Sequence, residues 1–471
     1  MAQTFDLAVI GAGSAGFAAA RTAAAMGLKV VILEGGKQVG GLCILRGCMP
    51  TKTFLESAHR NHEIGRASEF GIRVGKPKAN WKEILKRKDR LIRDFADYRK
   101  EQLEKGNFAF YRARAKFLGP YRLMLESVGK DKVPEEIEAK SFVVATGSRA
   151  AKREILGLEK AGYWTSDDCL RVSQPIKSLI VLGGRAVGLE FAQYYAHLGV
   201  KVTVIQRSSQ LLPESDPEVG QVLEKVFRKD GTDVFCGTDI VQVMQKGRKK
   251  RVEFLQGGKK KAVEAEQILQ ALGREPDLSE LNCEEAGLEI TKGKIAVSDT
   301  QQTKVSHIFA AGDVCGPYEV VHLAIQQGEV AGKNAVQLLR GGDLGEKMDY
   351  RMKMEVIFTS PEAAGIGYSE RECREKSWEI VTASYPFADH GKSIVMGELN
   401  GFVKLIALKQ RGEIVGAEVV GPHASDLIHE PMAVMRYRGT AKEMAEMPHY
   451  HPTLSEIWTY PAEEIAEKIT F

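Results

Sequence analysis

The chain has 471 residues, of which 44% are hydrophobic and 27% are charged, and its formal net charge is +4. This composition excludes a disordered or collagen-like chain, and so small a net charge gives no reason to expect a nucleic-acid partner. At roughly 150 residues per domain, the length predicts about three domains. The sequence has no apolar run of about 18 residues, and FDLAVIGAG near its start lacks both a basic region and a cleavage site. We therefore expect a cytoplasmic protein with no membrane span.

The first predicted element belongs to an internal repeat. The segment LAVIGAGSAGFAAARTAAAMGLKVVILE from Leu7 aligns without a gap with LIVLGGRAVGLEFAQYYAHLGVKVTVIQ from Leu179. Each copy runs from an apolar strand through a glycine-rich turn into a helix, and then into a second strand. This order predicts two βαβ units with parallel sheets, and hence two dinucleotide-binding domains.

The first copy has the full glycine pattern of a dinucleotide site. Gly11 permits the tight turn, Gly13 lets the backbone approach a pyrophosphate, and Gly16 lets the helix pack close to the strand. Glu34 ends the second strand, where a carboxylate accepts hydrogen bonds from ribose hydroxyls. The phosphates are expected at the helix N-terminus, whose unpaired N–H groups favour an anion. The predicted contacts in this turn are Gly11, Gly13, Ser14, Ala15 and Gly16.

The second copy departs from this pattern twice. Gly183 and Gly188 keep the outer glycine positions, but Arg185 replaces the middle one, and Gln206, followed by Arg207, replaces the terminal acid. Without the acid, nothing repels a 2′-phosphate and Arg207 can pair with it, which favours NADPH over NADH. Three interpretations of Arg185 stay open: it weakens pyrophosphate binding, it grips the phosphates, or it faces solvent.

Between the two copies, GGLCILRGCMPTK at residues 40–52 contains Cys43 and Cys48. A structural zinc site needs a second ligand pair, and the sequence has none. Two structural thiols leave the neighbouring glycines unexplained, so we predict a redox-active, catalytic disulfide. Cys48 precedes the predicted helix TKTFLESAHRNHEIG, whose N-terminus stabilises a thiolate. The remaining cysteines are expected to be buried free thiols: Cys169, Cys236, Cys283, Cys315 and Cys373.

Later segments add further turns and an acid–base pair. SFVVATGSRA, ILQALGREPD and HIFAAGDVCG each end an apolar strand in a turn that contains glycine, and the last contains Gly312 and Asp313. A second segment that faces the cofactor, remote from the first βαβ unit, implies a cofactor that extends beyond the usual binding site of an adenine dinucleotide. In MPHYHPTLSE, His451 is followed five residues later by Glu456, which suits a general acid–base and the carboxylate that orients it.

On these motifs the chain is identified as a member of the two-dinucleotide-binding flavoprotein disulfide reductases. The resemblance covers it nearly end to end, including GAGSAG with Glu34, GGLCILRGCMPTK, VVATGS, IFAAGD, FTSPEAAGIG and HPTLSE. It implies an α/β fold with two Rossmann-like domains and a C-terminal α+β dimerisation domain. The implied domains are FAD-binding segments 1–148 and 273–347, an NAD(P)-binding domain 149–272, and a dimerisation domain 348–471. Further implied FAD contacts are Gly41, Lys52, Ala145, Thr146, Gly147, Gly312 and Asp313, and Gly273 is an implied NAD(P) contact.

The resemblance also implies catalytic roles. Cys48 is the thiol against the flavin, and Cys43 attacks the substrate disulfide. Lys52 and Glu190 form an ion pair beside the reactive flavin nitrogen.

The C-terminal motif implies a shared active site. His451, oriented by Glu456, acts as the acid–base on the disulfide of the other subunit, so the resemblance implies an obligate homodimer. His449 is expected to have a supporting role.

The substrate is predicted from the C-terminal segment GEIVGAEVVGPHASDLIHE, which resembles dihydrolipoamide dehydrogenases. Dihydrolipoamide or a lipoyl-carrying protein is the first expected partner, with a role in cell redox homeostasis. No C-terminal cysteine pair is present, so mercury is not expected, and no metal site is predicted. Two alternatives stay open. One is an NADPH-dependent reductase of another small disulfide or a quinone-like acceptor, and the other is a flavin electron-transfer subunit whose nicotinamide site Arg185 weakens.

Overall fold

The structure is a computed structural model that describes residues 3–130 and 132–469. The chain divides into two compact units. The first unit consists of Met1–Pro50, Lys86–Lys152 and Gly273–Asp349, and the second consists of Thr51–Leu85, Arg153–Leu272 and Tyr350–Phe471. The α/β fold class predicted from the repeat is confirmed, whereas the assignment of four domain segments stays a prediction.

Strands and helices alternate through much of the chain. The strands are β1 (Gln3–Ile10), β2 (Val30–Leu33), β3 (Ala109–Tyr111), β4 (Ala113–Gly119), β5 (Arg122–Ser127), β6 (Glu136–Val144), β7 (Ser148–Ala150), β8 (Ser178–Leu182), β9 (Lys201–Ile205), β10 (Asp233–Phe235), β11 (Thr238–Lys246), β12 (Lys249–Gln256), β13 (Lys259–Ala265), β14 (Gln267–Gln270), β15 (Arg274–Pro276), β16 (Ile290–Thr291), β17 (Lys294–Ile295), β18 (Ile308–Ala310), β19 (Met354–Ile357), β20 (Glu362–Gly367), β21 (Ile380–Pro386), β22 (Phe402–Leu408) and β23 (Ile414–Gly421). The α-helices are α1 (Ser14–Ala25), α2 (Gly41–Leu45), α3 (Cys48–Arg66), α4 (Trp81–Glu104), α5 (Leu158–Ala161), α6 (Ser166–Cys169), α7 (Ala186–His197), α8 (Pro217–Lys229), α9 (Val321–Leu339), α10 (Glu370–Glu375), α11 (Gly391–Met396), α12 (Ala424–Leu427), α13 (His429–Arg436), α14 (Ala441–Ala445) and α15 (Thr459–Lys468). Short 3₁₀ helices cover Ala67–Phe70, Tyr350–Met352, Phe387–Asp389 and Ser455–Trp458.

The first unit is built on a seven-stranded sheet. Its order is β3-β2-β1-β6-β5-β4, with β18 paired to β6. The pairs among β3, β2, β1, β6 and β18 are parallel, whereas β4 and β5 join as antiparallel strands. The parallel strands are fully apolar near their carboxyl ends because helices such as α1 and α9 cover the sheet.

The glycine-rich turn of the first copy depends on close backbone approach. A Cβ at Gly11, whose φ is +103°, would lie 2.3 Å from the carbonyl oxygen of Ala145. A Cβ at Gly16 would lie 1.8 Å from the carbonyl oxygen of Gly11. No larger residue fits at either position, as the motif predicts.

The second unit holds three sheets. The second copy of the repeat contributes to the parallel sheet β10-β9-β8-β14. The antiparallel sheet β11-β12-β13 lies between β10 and β14 in the sequence. A hairpin turns at Gly257 and Gly258 between β12 and β13, with both glycines at positive φ. The C-terminal sheet β19-β20-β23-β22-β21 is antiparallel.

Two helices that bear predicted site residues pack against each other in the second unit. On α3, Phe54 stacks on Tyr194 of α7, with ring centroids 4.9 Å apart. Asn61 of α3 donates a hydrogen bond to the carbonyl oxygen of His197 at 2.7 Å. Helix α3 begins at Cys48, a few residues earlier than the sequence predicts, so Cys48 lies in its first turn.

The predicted buried thiols are partly confirmed. Cys169, Cys315 and Cys373 are buried. Burial raises the pKa of Cys169 and Cys315 to about 12 and that of Cys373 to about 11. Cys236 and Cys283 are only half-buried, because each is next to exposed chain. None of the helices in the described ranges has the length and apolar character needed to cross a membrane.

A buried carboxyl group in the second unit gives a prediction about stability. Glu418 accepts a hydrogen bond from the backbone N–H of Asp216 at 3.0 Å, and its Oε2 has no hydrogen-bond partner among the described residues. Burial and the charge of Asp216 raise the pKa of Glu418 to about 8. The folded protein therefore holds a proton that the unfolded chain releases above its ordinary pKa, and stability is lost as the pH rises toward 8.

We expect Glu418→Gln to stabilise the protein by more than about 1 kcal/mol at pH 8.5 and by much less at pH 5. Urea unfolding at the two pH values measures the difference. Glu379→Gln, at an exposed position, is the control. An equal change at both pH values would contradict the protonated state of Glu418.

Candidate functional site

The turns predicted to bind the first dinucleotide lie along one edge of the seven-stranded sheet. In the register of the parallel strands, Ile10 is level with Leu33 and with Val144, and Val144 is level with Ala310. The residues that follow these strands, including Gly11, Glu34, Ala145 and Gly312, therefore meet at the carboxyl edge, where open α/β sheets bind ligands.

The start of α1 is open to an anion. Gly13 is its N-cap, no side chain caps it, and its first turn has no acidic residue. A Cβ at Gly13 would meet only the Cα of Gly41, at 3.9 Å, whereas a Cβ at Gly41 would lie 2.7 Å from the Cα of Gly13. These bare backbones and unpaired N–H groups fit a pyrophosphate. Ser14 and Ala15 lie in the first turn, as the motif predicts.

Polar groups at the same edge fit the rest of an extended dinucleotide. Glu34 is buried, accepts the N–H of Gly36 at 2.7 Å, and has a pKa that burial raises. Thr146 has a buried hydroxyl without a hydrogen-bond partner among the described residues. Such a group is normally satisfied, so it marks a place where a ligand is expected.

Asp313 lies in a small polar network in the first unit. The hydroxyl of Ser148 donates to Asp313, and Nε of Arg274 donates to that hydroxyl at 2.8 Å. The network fixes the carboxylate at the turn that follows β18. Gly147 and Gly312 have φ values of +75° and +85°, which glycine accommodates without strain.

The second copy repeats the edge arrangement in the second unit. Leu182 is level with Ile205 and Gln270, so Gly183 and Gln206 follow strands that end together. Gln206 is buried, and its side-chain oxygen accepts the N–H of Gly184 at 3.0 Å. The side-chain oxygen of Gln206 is therefore engaged in a hydrogen bond within the protein. Arg207, which follows it, is exposed.

Arg185 replaces the middle glycine without backbone strain. It is the N-cap of α7, and its φ of −102° and ψ of −179° are extended values that any residue adopts. The guanidinium pairs with Glu214 and is 63% exposed. Its partner in this structure is thus a carboxylate, an arrangement the sequence analysis did not consider. Gly188 is needed for packing, because a Cβ there would lie 2.1 Å from the carbonyl oxygen of Gly183. The predicted NAD(P) contact Gly273 begins a segment of the first unit.

The predicted redox cysteines lie on two consecutive helices. Cys43 is in α2, Cys48 is in the first turn of α3, and both are half-buried. Between them, a Cβ at Gly47 would lie 3.4 Å from the Cα of Cys43, so the chain folds back over α2. Burial lowers the pKa of Arg99 in α4, whereas the negative charge of a Cys43 thiolate raises it. A cation near a thiol favours its thiolate form.

Lys52 and Glu190, which the sequence pairs only through the resemblance, are in contact. Lys52 Nζ lies 2.9 Å from both carboxylate oxygens of Glu190. Glu190 also accepts the N–H of Phe358 at 3.0 Å, and Lys52 Nζ lies 4.6 Å from the centre of the Phe358 ring. The lysine side chain is 30% exposed and the glutamate 4%.

His451 and Glu456 also form the predicted pair. His451 Nδ1 lies 3.0 Å from Glu456 Oε2, with the imidazole 79% exposed and the carboxylate 12%. The sequence analysis missed His390, whose Nε2 lies 3.4 Å from the other carboxylate oxygen. His390 is fully buried, and its Nδ1 lies 2.9 Å from the hydroxyl of Ser393. One carboxylate therefore lies between a buried imidazole and an exposed one.

His449 contacts groups in its own loop and in α13. Its Nε2 lies 2.6 Å from Glu430 Oε1, and its Nδ1 lies 3.0 Å from the carbonyl oxygen of Met447. Both ring nitrogens face acceptors, so His449 anchors the segment that leads to His451.

Comparisons with known proteins agree with this geometry. Residues 5–328 match the family described as pyridine nucleotide-disulphide oxidoreductase, and residues 354–462 match its dimerisation domain. The chain is 31% identical to a dihydrolipoyl dehydrogenase of Bacillus subtilis, over 97% of both proteins. It is also 31% identical to a mercuric reductase of Bacillus cereus, over 96% of this chain and 70% of the relative.

A solved structure has the same fold. It is a Cu(II) complex of the HOCl-induced flavoprotein disulfide reductase RclA from Escherichia coli, with a TM-score of 0.83 and 22% identity, and it covers 97% of this chain and 99% of its own. The family model and the relatives at 31% identity confirm the family predicted from the motifs. The chain belongs to the pyridine nucleotide-disulphide oxidoreductases, FAD-dependent enzymes that use NAD(P)H, and it includes their dimerisation domain.

Proposed function

We propose that this protein transfers electrons between NAD(P)H and a small dithiol or disulfide through Cys43 and Cys48, with dihydrolipoamide as the preferred substrate. The proposal rests on the Cys43 and Cys48 pair, with Cys43 in α2 and Cys48 in the first turn of α3, in a chain of the pyridine nucleotide-disulphide oxidoreductase family. The dihydrolipoyl dehydrogenases that the chain matches along its length support the substrate.

The residues proposed to hold FAD follow from the edge of the first sheet. The turn at Gly11 and Gly13 receives the pyrophosphate, Glu34 accepts from a ribose, and Asp313 binds the ribityl end. When bound, the flavin passes an electron pair between the nicotinamide and the cysteine pair. Lys52 supplies a positive charge, and its ion pair with Glu190 keeps that charge in place. Glu190 is in turn held by a hydrogen bond from the N–H of Phe358.

In the direction of disulfide reduction, thiol exchange proceeds in two steps. The Cys43 thiolate attacks one substrate sulfur, the substrate S–S bond breaks, and the leaving thiolate takes a proton from His451 of the partner subunit. The Cys48 thiolate then attacks Cys43 Sγ, which closes the Cys43–Cys48 disulfide and releases the second substrate thiolate. That thiolate is protonated by the same imidazole after it regains a proton from water. Oxidation of dihydrolipoamide is the reverse sequence, with His451 accepting the protons.

The contacts of Glu456 explain how one tautomer of His451 is kept. We assign the Ser393 hydroxyl as the donor to His390 Nδ1, 2.9 Å away, which places the His390 proton on Nε2, 3.4 Å from Glu456. Glu456 in turn accepts from His451 Nδ1, which leaves Nε2 of His451 to exchange protons. Burial lowers the pKa of His390, which favours its neutral form. We propose that His390 is a positioning residue for Glu456.

The substrate is tested by steady-state kinetics. With saturating NAD⁺ or NADP⁺, dihydrolipoamide should give a kcat/KM at least about 10-fold above that of other dithiols, which corresponds to about 1.4 kcal/mol. Faster reduction of another disulfide by NADPH would contradict dihydrolipoamide as the substrate. Flavin reduction by dithiols but by neither nicotinamide would instead identify an electron-transfer subunit.

A second candidate is an NADPH-dependent reductase of another small disulfide or a quinone-like acceptor. It is favoured by Gln206, which stands where the first copy has the acidic Glu34 and whose side-chain oxygen accepts the N–H of Gly184. The next residue, Arg207, is exposed. An arginine there suits a 2′-phosphate.

We expect Arg207→Glu to raise the KM for NADPH by about 10- to 100-fold, because a charged hydrogen bond worth about 1.5–3 kcal/mol is replaced by repulsion. The KM for NADH should change little. Arg248→Glu, the same charge change at an exposed position in the turn between β11 and β12, is the matched control. An equal KM change for both nucleotides would show that Arg207 does not read the 2′-phosphate.

A further inference from the structure

Three imidazoles and a carboxylate cluster where the C-terminal half of α3 meets the end of α7. His59 and His62 are on α3, His197 ends α7, and Asp230 follows α8. One ligand atom each from His62, His197 and Asp230 lies within 4.8 Å of the others. The rings of His62 and His197 stack at 4.1 Å, and the ring of His59 lies 5.7 Å from that of His197.

The imidazole of His197, at the centre of this cluster, is buried. His197 is 7% exposed, and neither of its ring nitrogens has a partner among the described residues. Its Nε2 is 3.7 Å from Asp230 Oδ2, too far for a hydrogen bond. Nε2 of His59 is likewise buried without a partner in the described ranges. Leaving such groups unpaired costs about 1–3 kcal/mol each, so they indicate a missing ligand.

We propose that His62, His197 and Asp230 bind a divalent transition-metal ion of the Zn(II) class, with His59 beside it. Two imidazole nitrogens and one carboxylate oxygen suit Zn(II), Cu(II) or Ni(II), whereas Ca²⁺ and Mg²⁺ require mostly oxygen ligands. Ligand bonds of about 2.0–2.1 Å bring tetrahedral donor atoms to within roughly 3.4 Å of one another. Binding therefore draws the donors together and turns the half-buried His62 out of its stack on His197.

An ion bound at this site would hold helices α3 and α7 together. It joins α3 to α7, and the Lys52–Glu190 ion pair joins the same two helices farther toward their N-termini. Ten residues of α3 separate Lys52 from His62, which is about 15 Å of helix. A bound ion thus fixes the helix that carries Lys52, independently of the proposed disulfide chemistry.

Zn(II) is the probe for this site. The metal-free full-length protein should carry Cys43→Ser and Cys48→Ser, so that these thiols do not compete for the ion. Calorimetric titration should then give one tight Zn(II) per chain, together with a higher melting temperature. His62→Gln and Asp230→Asn should each weaken Zn(II) binding at least about 10-fold, with flavin content unchanged. These positions are more exposed than His197, so the variants are expected to fold.

The matched control is His423→Gln, because His423 is exposed and lies 3.9 Å from Asp426, where a weak surface site would form. This variant should bind Zn(II) as the parent does. The proposal is overturned if the parent binds no Zn(II) tightly, or if His62→Gln and Asp230→Asn bind it as well as the parent.

Discussion

We expect Cys43→Ser to lower disulfide turnover by about 10³-fold or more, because serine cannot form the mixed disulfide with the substrate. The variant should still be purified with bound flavin, since Cys43 is not among the residues proposed to hold the cofactor. Steady-state kinetics with dihydrolipoamide, normalised to flavin content, measures the loss.

Cys283→Ser is the control for this variant. Cys283 is half-buried, and burial raises its pKa, so it is a poor nucleophile at neutral pH. Turnover should be unchanged in this variant. A Cys43→Ser protein that kept more than about a tenth of the parental rate would show that another group attacks the substrate.

Replacement of His451 by glutamine should lower kcat by about 10²- to 10⁴-fold, the usual contribution of a general acid–base. Glu456→Gln should cause a smaller loss, because the imidazole remains but its charged partner is gone. His390→Asn should shift the pH profile of kcat with a still smaller loss at the optimum, because the group that orients Glu456 is removed.

The control for this series is His423→Gln, an exposed imidazole elsewhere in the second unit. It should leave both kcat and its pH profile unchanged. If His390→Asn changed only the thermal stability and left the pH profile as it was, His390 would be a structural residue and not a positioning one.

The parts of the fold that are local in sequence were predictable. Gly11 and Gly183 open turns that follow apolar strands, and each repeat of strand, turn, helix and strand spans fewer than 30 residues. The structure confirms both βαβ units because short-range sterics at these glycines determine the path of the chain.

Contacts between distant residues were not predictable from pattern alone. Lys52 and Glu190 are 138 positions apart, and the sequence paired them only through the resemblance. Nothing in FADHGKS marks His390 as a neighbour of Glu456, because that contact depends on how α11 packs against the C-terminal segment. The same holds for Arg185, whose carboxylate partner Glu214 lies in a loop outside the repeat.

The central claim is that Cys43 and Cys48 exchange a disulfide for two thiols when the nicotinamide is oxidised. Trypsin cleaves after Arg46 and so separates the two cysteines, which makes a disulfide visible as a linked pair of peptides. The oxidised protein should be treated anaerobically with one equivalent of NADPH or NADH, alkylated and analysed by mass spectrometry. We expect a linked pair before treatment, and single alkylation of Cys43 and of Cys48 afterwards with at least one nucleotide. A linked pair that persists after the flavin has been bleached by NAD(P)H, or cysteines that are never linked, would contradict it.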